Sequence, residues 1–407
     1  MLTCNKDRVQ NKIETFAIFG DAGHGGITRF SLSEEALQTR AEFVKRMKEV
    51  GVETITDDMA NMYAILPGTE ANLPRIVMAS HCDSVRNGGN YDGILGVIAA
   101  MEVVETIAIE KIPHRHPITA MIWTNEEGSL YAPAMMSSGV VCGKFDKAKM
   151  LSSKSPEGKT FGEALQQSGY AGDEANRLNT KDYMVMLELH IEQGPVLEAE
   201  KKQIGVVEGV VGMVNYRIRT YGQADHAGTT PMPYRRDALL AAASALKYLH
   251  AELDKFDSNL VYTTGEIICH PCVHTVIPDF VDFSLDARHQ NPDVIKQVVK
   301  IIKNMPKEFD KCEVKYQEAW ARDTIEFDEE LVGLVQKSAD AYGYTSKRMY
   351  SGAGHDAQYV ANMIPTTMIF VPSKDGHSHC EPEFTSVEEC WSGINVVLQT
   401  VLEIDKK

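Results

Sequence analysis

The hydrophobic and polar positions of the chain follow two kinds of repeat. Residues 34–50 (EEALQTRAEFVKRMKEV) carry apolar side chains at helical spacing, which predicts a first long helix. Residues 96–108 (GVIAAMEVVETIA) read as a buried helix. Dense apolar runs between such segments predict strands, the clearest of them at 75–80, 118–124, 183–189 and 366–371. Strands that alternate with helices are typical of an α/β fold with a mostly parallel sheet.

The pattern changes between about residue 206 and residue 320. Apolar and polar positions now alternate, as in antiparallel strands with one solvated face. The predicted strands lie at 214–222, 260–269 and 281–288, and two helical stretches lie at 235–256 and 292–305. We therefore predict a first domain at residues 1–207 and 323–407, and a separate α+β domain inserted at residues 208–322.

Composition and charge narrow the class of protein. The chain has 407 residues, of which 43% are hydrophobic, so it can bury a substantial core. Its 57 acidic and 41 basic residues give a net charge of -16, which argues against nucleic acid or an anionic membrane as a partner. The N-terminus has no signal-peptide pattern, and no apolar run approaches the ~18 residues of a membrane span.

The eight cysteines are scattered along the chain. With no secretory signal, they indicate a reducing compartment, and we expect a cytoplasmic protein. Cys269 and Cys272 form a C-x-x-C within a strand-like segment. We expect this pair to be two reduced thiols rather than a redox motif.

Acidic and histidine side chains follow the predicted strands of the first domain. His81 comes directly after the strand at 75–80, Glu126 and Glu127 follow the strand at 118–124, and His190 follows the strand at 183–189. A late GHSH segment, which ends at His379, follows the strand at 366–371. Because ligands collect at the carboxyl ends of parallel strands, we expect these side chains to meet at one edge of the sheet.

The segment SHCDSVRNGGNYDG (residues 80–93) favours a metal site. His81 alone would fit a hydrogen-bonded core histidine equally well, but Asp83 is placed to hydrogen-bond its ring, as carboxylates often do for metal-bound histidines. Asp92 can return to the same strand end after a glycine-rich loop. Histidine with carboxylate suits zinc, manganese, cobalt or nickel. A carboxylate shared between two such sets of ligands would make a dinuclear site.

The adjacent glutamates can divide the chemistry of such a site. One is expected to be a metal ligand, and the other to be the base that takes a proton from an activated water and returns it to a leaving nitrogen. The alternative is a solvated turn that carries two surface acids.

Several motifs together resemble the hydantoinase/carbamoylase family of amidases: SHCDSVRNGGNYDG, NEEGS, LHIEQGPVLE, DHAGTTPMPYRRDA, SGAGHDA and the late G-x-S-H. That family includes N-carbamoyl-L-amino acid hydrolases, allantoate amidohydrolases and β-ureidopropionases, and it belongs to the superfamily of dinuclear metal aminoacylases and carboxypeptidases. The resemblance extends from about residue 28 to residue 401. It implies a zinc-exopeptidase-like catalytic domain, interrupted by an α+β domain that closes over the site and forms a homodimer.

The resemblance also implies roles for individual residues. Each subunit would bind two divalent metal ions, either Zn²⁺ or Mn²⁺, Co²⁺ or Ni²⁺. His81, Asp92 and His190 would hold the first ion, and Asp92, Glu127 and His379 would hold the second, so that Asp92 is shared by both. Glu126 would be the general base and acid, and His226 would stabilise the oxyanion. A small ureido substrate with a carboxylate would contact Gln193, Thr275, Arg288, Gly354 and His355. His377 occupies a variable position and is expected to be a surface histidine.

One departure from the family concerns the substrate. The family usually has an asparagine before its V-I-P or V-V-P motif, whereas this chain has Thr275 in CVHTVIP. Threonine is shorter and lacks the amide donors. Hydrolysis of an N-carbamoyl-L-amino acid is the first hypothesis. Hydrolysis of allantoate, ureidoglycolate or N-carbamoyl-β-alanine is the second. A non-catalytic binding protein is a less favoured alternative, because every candidate ligand and the base are present. A dipeptidase is less favoured because the HIEQGP and SGAGHDA motifs are typical of the amidase family.

Overall fold

The computed structural model describes residues 1–407, which form two compact units. The first unit is Met1–Gly209 with Glu326–Lys407, and the second is Val210–Ile325. The assignment of these parts as a catalytic domain and a dimerisation or lid domain stays a prediction.

The first unit contains strands and helices in alternation, as an α/β fold requires. Its helices are α1 (Lys6–Ala17), α2 (Glu34–Glu49), α3 (Ile94–Ile109), α4 (Met136–Val141), α5 (Lys147–Leu151), α6 (Phe161–Ser168), α7 (Val196–Ala199), and, after the insertion, α10 (Glu329–Tyr342), α11 (Ala357–Val360) and α12 (Val387–Ile404). Its strands are β1 (Glu53–Thr56), β2 (Met62–Leu66), β3 (Arg75–His81), β4 (Ile118–Trp123), β5 (Tyr183–Ile191), β6 (Ile204–Val210), and, after the insertion, β13 (Ile325–Glu326), β14 (Ser346–Ser351) and β15 (Thr366–Val371).

These strands form a nine-stranded sheet in the order β1-β2-β4-β3-β5-β15-β6-β13, with β14 paired to β6. The four central strands, β4, β3, β5 and β15, are parallel. The pairs β1–β2, β2–β4 and β15–β6 are antiparallel. The predicted α/β fold is therefore confirmed, with parallel pairing at the centre of the sheet. The loop from β1 to β2 is too short for the crossover that a parallel pair needs, so these strands form a hairpin.

Residues 94–107 of helix α3 are all buried, and they are apolar except for Glu102, Glu105 and Thr106 near its C-terminal end. The helix packs on β3, β4 and β5, and α1 and α12 pack on α3. The buried helix predicted at residues 96–108 is thus confirmed. The helix predicted at 34–50 is α2, but it is not the first, because α1 precedes it.

The second unit is an antiparallel sheet covered by two helices. Its strands are β7 (Gly212–Tyr221), β8 (Val261–Thr263), β9 (Ile267–His270), β10 (Phe280–His289), β11 (Glu308–Phe309) and β12 (Cys312–Arg322), and its long helices are α8 (Ala238–Leu253) and α9 (Pro292–Lys303). The strand order is β11-β12-β7-β10-β8, and β9 also pairs with β10. Both helices pack on β7 and β10, so the apolar face of the sheet is buried beneath them.

None of the helices combines the length and the apolar composition that crossing a bilayer requires. All eight cysteines are free, including Cys269 and Cys272.

Candidate metal centre

The sheet brings candidate ligands together at the carboxyl ends of its parallel strands. His81 is the last residue of β3, and it lies opposite Trp123, the last residue of β4. Glu126 and Glu127 follow β4 after a short turn. His190, near the end of β5, lies opposite Phe370 of β15. Since all four strands are parallel, the residues that follow them reach one edge of the sheet.

The first group of donor atoms is fully buried and consists of His81, Asp92 and His190. Oδ1 of Asp92 lies 3.4 Å from Nε2 of His81 and 3.3 Å from Nε2 of His190. The second group consists of Asp92, Glu127 and His379. Nε2 of His379 lies 3.3 Å from Oδ2 of Asp92 and 3.5 Å from Oε2 of Glu127. Asp92 therefore belongs to both groups and turns a different oxygen towards each.

These distances fit atoms that converge on a cation. Two ligand atoms bound tetrahedrally to one Zn²⁺ at its usual bond lengths lie about 3.3 Å apart. The separations of 3.3 to 3.5 Å match that value and exceed an ordinary N–H···O hydrogen bond. Oε1 of Glu127 is buried and has no hydrogen-bond partner. An unsatisfied buried carboxylate oxygen is costly, and a cation would satisfy it.

Main-chain contacts orient the two buried histidines. Nδ1 of His81 lies 2.9 Å from the main-chain oxygen of Asp83, and Nδ1 of His190 lies 3.0 Å from that of Ile191. A carbonyl can only accept, so Nδ1 of each ring carries a proton, and in the neutral ring Nε2 is then the atom that can bind a cation. The main-chain N–H of Gly93 donates to Nε2 of His190 (3.2 Å), which is consistent with that tautomer.

The expected role of Asp83 needs a correction. Its carboxylate was predicted to hydrogen-bond the ring of His81, but the closest approach is 3.8 Å, too long for a hydrogen bond. The ring instead bonds the main-chain oxygen of Asp83. The carboxylate accepts the main-chain N–H groups of Glu126 and Glu127, each at 3.2 Å. Asp83 therefore holds in place the turn that carries both glutamates.

Glu126 and Glu127 have different surroundings. Glu127 belongs to the second donor group, whereas Glu126 belongs to neither and places Oε2 3.7 Å from Nε2 of His81. Burial raises the pKa of Glu126 well above its usual range, and nearby carboxylates add to the shift. Burial and the charge of Asp92 raise the pKa of Glu127 to about 7. The assignment of one glutamate as base and the other as ligand stays a prediction.

The histidines compensate the charge of Asp92. Burial alone would raise the pKa of Asp92, but His190, His379 and His81 outweigh it and hold that pKa well below its usual range. The nearby carboxylate of Asp92 raises the pKa of His379 to about 9, against a smaller opposing effect of burial. The centre thus concentrates negative charge that positive groups must balance.

Two residues expected to line the substrate pocket lie against candidate ligands. Nε2 of Gln193 donates to Oδ2 of Asp92 (2.7 Å), so this side chain also orients the shared carboxylate. His355 is buried, bonds Oγ of Ser351 (2.9 Å) and has its ring centroid 4.6 Å from that of His190. Gly354 directly precedes it in the loop between β14 and α11. Roles of these residues in substrate binding stay predictions. His377 is exposed, as expected.

The remaining three predicted site residues belong to the second unit. His226 and Thr275 are neighbours, since His226 bridges Val276 and the N–H of Ala227 donates to the main-chain oxygen of Thr275 (2.9 Å). Nδ1 of His226 accepts the N–H of Gly228 (3.0 Å), so the ring proton lies on Nε2. Arg288 lies on β10, and its Nε donates to Oδ1 of Asp286 (2.8 Å).

Sequence reasoning missed several buried acids around the centre. Glu383 accepts three main-chain N–H groups from the loops that carry Asp92 and His379. Burial and the charge of Asp92 raise its pKa to about 7. Glu188 forms a further donor group with His190 and His355, and Asp356 accepts a hydrogen bond from Ser138. An acid four residues after a candidate ligand was the available signal for Glu383.

Comparisons with known proteins agree on one family. The model of Peptidase family M20/M25/M40 matches residues 77–403. An N-carbamoyl-L-amino-acid amidohydrolase of Rhizobium meliloti is 35% identical, over 98% of this chain and 96% of the relative. An allantoate amidohydrolase of Bacillus subtilis (strain 168) is 31% identical, over 98% of each chain.

A solved structure extends the similarity to the fold. The crystal structure of an amidase of the hydantoinase/carbamoylase family from Burkholderia multivorans superposes with a TM-score of 0.92 and 37% identity. The match covers 100% of this chain and 99% of that one, so it includes both units.

Proposed function

Because the chain belongs to Peptidase family M20/M25/M40 and, within it, to the hydantoinase/carbamoylase amidases, we propose that it cleaves the ureido C–N bond of an N-carbamoyl-L-amino acid. The products would be the amino acid, carbon dioxide and ammonia. M20 enzymes are metal-dependent, and this chain is a hydrolase of C–N bonds in linear amides. The observation that carries the proposal is the pair of donor groups that share Asp92, with Glu126 beside them and outside both.

Two divalent ions, Zn²⁺ or Mn²⁺, Co²⁺ or Ni²⁺, fit the two donor groups. His81, Asp92 and His190 would hold one ion, and Asp92, Glu127 and His379 would hold the other. When bound, the ions would supply Lewis acidity, which makes a water more acidic and a carbonyl more electrophilic. Two divalent charges would also offset the repulsion that raises the pKa of Glu127.

The side chains would then move protons and hold the substrate. Glu126 takes the proton of the attacking water on its carboxylate and later delivers it to the departing nitrogen. A buried carboxyl with a raised pKa suits both directions of that transfer. We assign His226 to the oxyanion, because its Nε2–H is free to donate, and Arg288 to the substrate carboxylate, which a guanidinium can bind through two hydrogen bonds.

Replacement of the base tests this mechanism. Glu126→Gln keeps the size of the side chain and removes its ability to accept a proton, so turnover should fall about a hundredfold or more. Bound metal, measured by elemental analysis, should stay at the level of the unsubstituted protein, because Glu126 belongs to neither donor group. Turnover close to normal would refute the assignment.

Allantoate is a second candidate substrate, favoured by the similarity to the Bacillus subtilis enzyme. The presence of Thr275 where the family usually has asparagine supports a substrate of altered shape. Ammonia release from allantoate, ureidoglycolate, N-carbamoyl-β-alanine and several N-carbamoyl-L-amino acids, with Mn²⁺ or Zn²⁺ added, distinguishes them. A higher kcat/KM for allantoate than for any N-carbamoyl-L-amino acid would overturn the first choice.

We further propose that the second unit forms a homodimer. Its edge strands β8 and β9 expose apolar side chains: Val261 is 57% exposed, Ile267 53% and Ile268 49%. Such exposed apolar residues along a sheet edge are a liability for an isolated chain, and a second copy would cover them.

A further inference from the structure

Glu383 lies in the segment after β15 and makes contacts that no ordinary surface acid makes. The residue is only 4% exposed. Its Oε1 accepts the main-chain N–H groups of Tyr91 (2.9 Å) and Asp92 (3.0 Å). Its Oε2 accepts the main-chain N–H of His379 (3.2 Å). One carboxylate thus joins two loops that are distant in sequence and that both carry candidate metal ligands.

The two oxygens of Glu383 bind different loops. Oε1 fixes the peptide of Asp92, whose own carboxylate faces both donor groups. Oε2 fixes the peptide of His379, a residue of the second group only. His379 has φ +57°, a conformation that a residue with a side chain seldom adopts, and its main chain therefore needs an external anchor.

The chain is shaped to admit this carboxylate. A Cβ on Gly89 would lie 2.0 Å from the carboxyl carbon of Glu383, so only glycine lets the loop pass so close. The segment of Glu383 is itself tied to the end of β15, since the N–H of Lys374 donates to the oxygen of Phe384 (2.9 Å) and Oγ1 of Thr385 donates to the oxygen of Pro372 (2.8 Å). The carboxylate is therefore held on a fixed frame.

We propose that Glu383 is a positioning residue that sets the geometry of the second donor group, Asp92, Glu127 and His379, through the peptides of Asp92 and His379. This role rests on the proposed function, because it assumes that two ions bind. Residues that orient ligands from behind typically change metal affinity about 10- to 100-fold when they are replaced.

Two substitutions distinguish the contacts of Oε1 from the contact of Oε2. In Glu383→Gln, the amide oxygen can keep the two N–H groups of Tyr91 and Asp92, but the amide nitrogen then faces the N–H of His379, a donor against a donor. In Glu383→Ala all three contacts are lost. Glu381→Gln is the matched control, because Glu381 is a nearby exposed glutamate with no hydrogen bond to either loop.

The test is a titration of metal-free protein with Zn²⁺ and Co²⁺, followed by calorimetry and by the visible absorption of bound Co²⁺. The unsubstituted protein and Glu381→Gln should bind two ions. In Glu383→Gln the affinity of one binding step should fall about 10- to 100-fold while the other step keeps its affinity, and in Glu383→Ala both should weaken. The Co²⁺ spectrum of the weakened centre should change as well, which a general loss of stability would not cause.

The outcomes distinguish the two proposals. If the unsubstituted protein binds one ion or none, the dinuclear function fails, and the role of Glu383 fails with it. If that protein binds two ions and Glu383→Gln binds both as tightly, only the role of Glu383 is refuted. A lower melting temperature of Glu383→Gln with unchanged metal affinity and Co²⁺ spectrum would reduce Glu383 to a structural residue and refute the proposal equally.

Discussion

Asp92 is the residue on which the geometry of the centre depends. Its two oxygens face different histidines, and its side chain receives hydrogen bonds from Gln193 and Ser378 at 2.7 and 3.0 Å. The next residue, Gly93, has φ +65°, and a Cβ there would lie 2.2 Å from Cε1 of His81. A glycine is therefore required for two reasons, the backbone conformation and the position of the imidazole ring.

Gly93→Ala should consequently weaken metal binding. The added methyl group must displace the ring of His81, and the positive φ costs about 1 kcal/mol of stability in addition. Gly343→Ala isolates the second effect, because Gly343 has φ +75° with no atom within 4 Å of an added Cβ. Both variants should lose stability in urea, Gly93→Ala more than Gly343→Ala because of the displaced ring, but only Gly93→Ala should lose metal affinity in a chelator competition. Equal metal affinity of the two variants would contradict this reasoning.

Residue types and spacing were enough to predict which side chains converge at the sheet edge, because most of them lie at or after the end of an apolar strand and Asp92 follows a glycine-rich loop. They were not enough for the contacts behind them. The partner of the Asp83 carboxylate depends on how the chain turns after β4, and Glu383 accepts main-chain N–H groups of Tyr91 and Asp92, about 290 residues away in sequence. Neither geometry leaves a periodic signal.

At the scale of elements, α1 and α3 are joined by a buried cluster of charges. Lys12 of α1 lies 2.7 Å from a carboxylate oxygen of Glu102 and 2.6 Å from one of Glu105, both on α3, and Arg8 also contacts Glu102. Burial would raise the pKa of Glu102, but Arg8 and Lys12 outweigh it and lower that pKa. For Glu105, burial prevails over Lys12, so its pKa is raised.

The two acids should therefore respond to pH in opposite ways. A lowered folded-state pKa stabilises the protein above the unfolded pKa of about 4.3, and this contribution is lost as the pH falls through the folded value. Glu102→Gln should thus be about 1–3 kcal/mol less stable than the unsubstituted protein at pH 7, a gap that closes towards acid pH. Glu105→Gln should gain stability relative to the unsubstituted protein as the pH rises, because the folded protein disfavours the charged form of Glu105. Urea unfolding between pH 3.5 and 8 measures both, and parallel trends would contradict the assignment.

Sequence patterns predicted the strongly periodic elements and missed others. Helix α1 was not predicted, because Lys12 interrupts its apolar stripe of Val9, Ile13 and Phe16. Only the acids of α3 explain why a lysine is buried there. Strand β12 was not predicted, because most of its side chains are exposed and it lacks a regular apolar pattern. The antiparallel flanks of the main sheet follow from loop lengths and from the insertion, which apolar periodicity does not encode.

At the scale of the whole molecule, the proposed dimer depends on the exposed edge of the second unit. Ile268→Glu should abolish association, because a charge cannot be buried there without a partner. Ile109→Glu is the matched control, since Ile109 of the first unit is 48% exposed, close to the 49% of Ile268. Light scattering after gel filtration should give twice the 45.1 kDa of one chain for the unsubstituted protein and for Ile109→Glu. A mass of one chain for the unsubstituted protein would refute the dimer.

The topology of the main sheet also determines which of the two units can fold first while the chain is being synthesised. Strand β15 lies between β5 and β6, yet it is synthesised after the whole insertion. The second unit is continuous in sequence and can fold as soon as residues 210–325 have emerged, since domains generally fold as units during synthesis. The first unit must wait, with a gap in its sheet and without His379, until the last part of the chain arrives. A nascent chain that stalls before residue 366 would thus carry a finished insertion on an unfinished and inactive host, which is a natural substrate for chaperones.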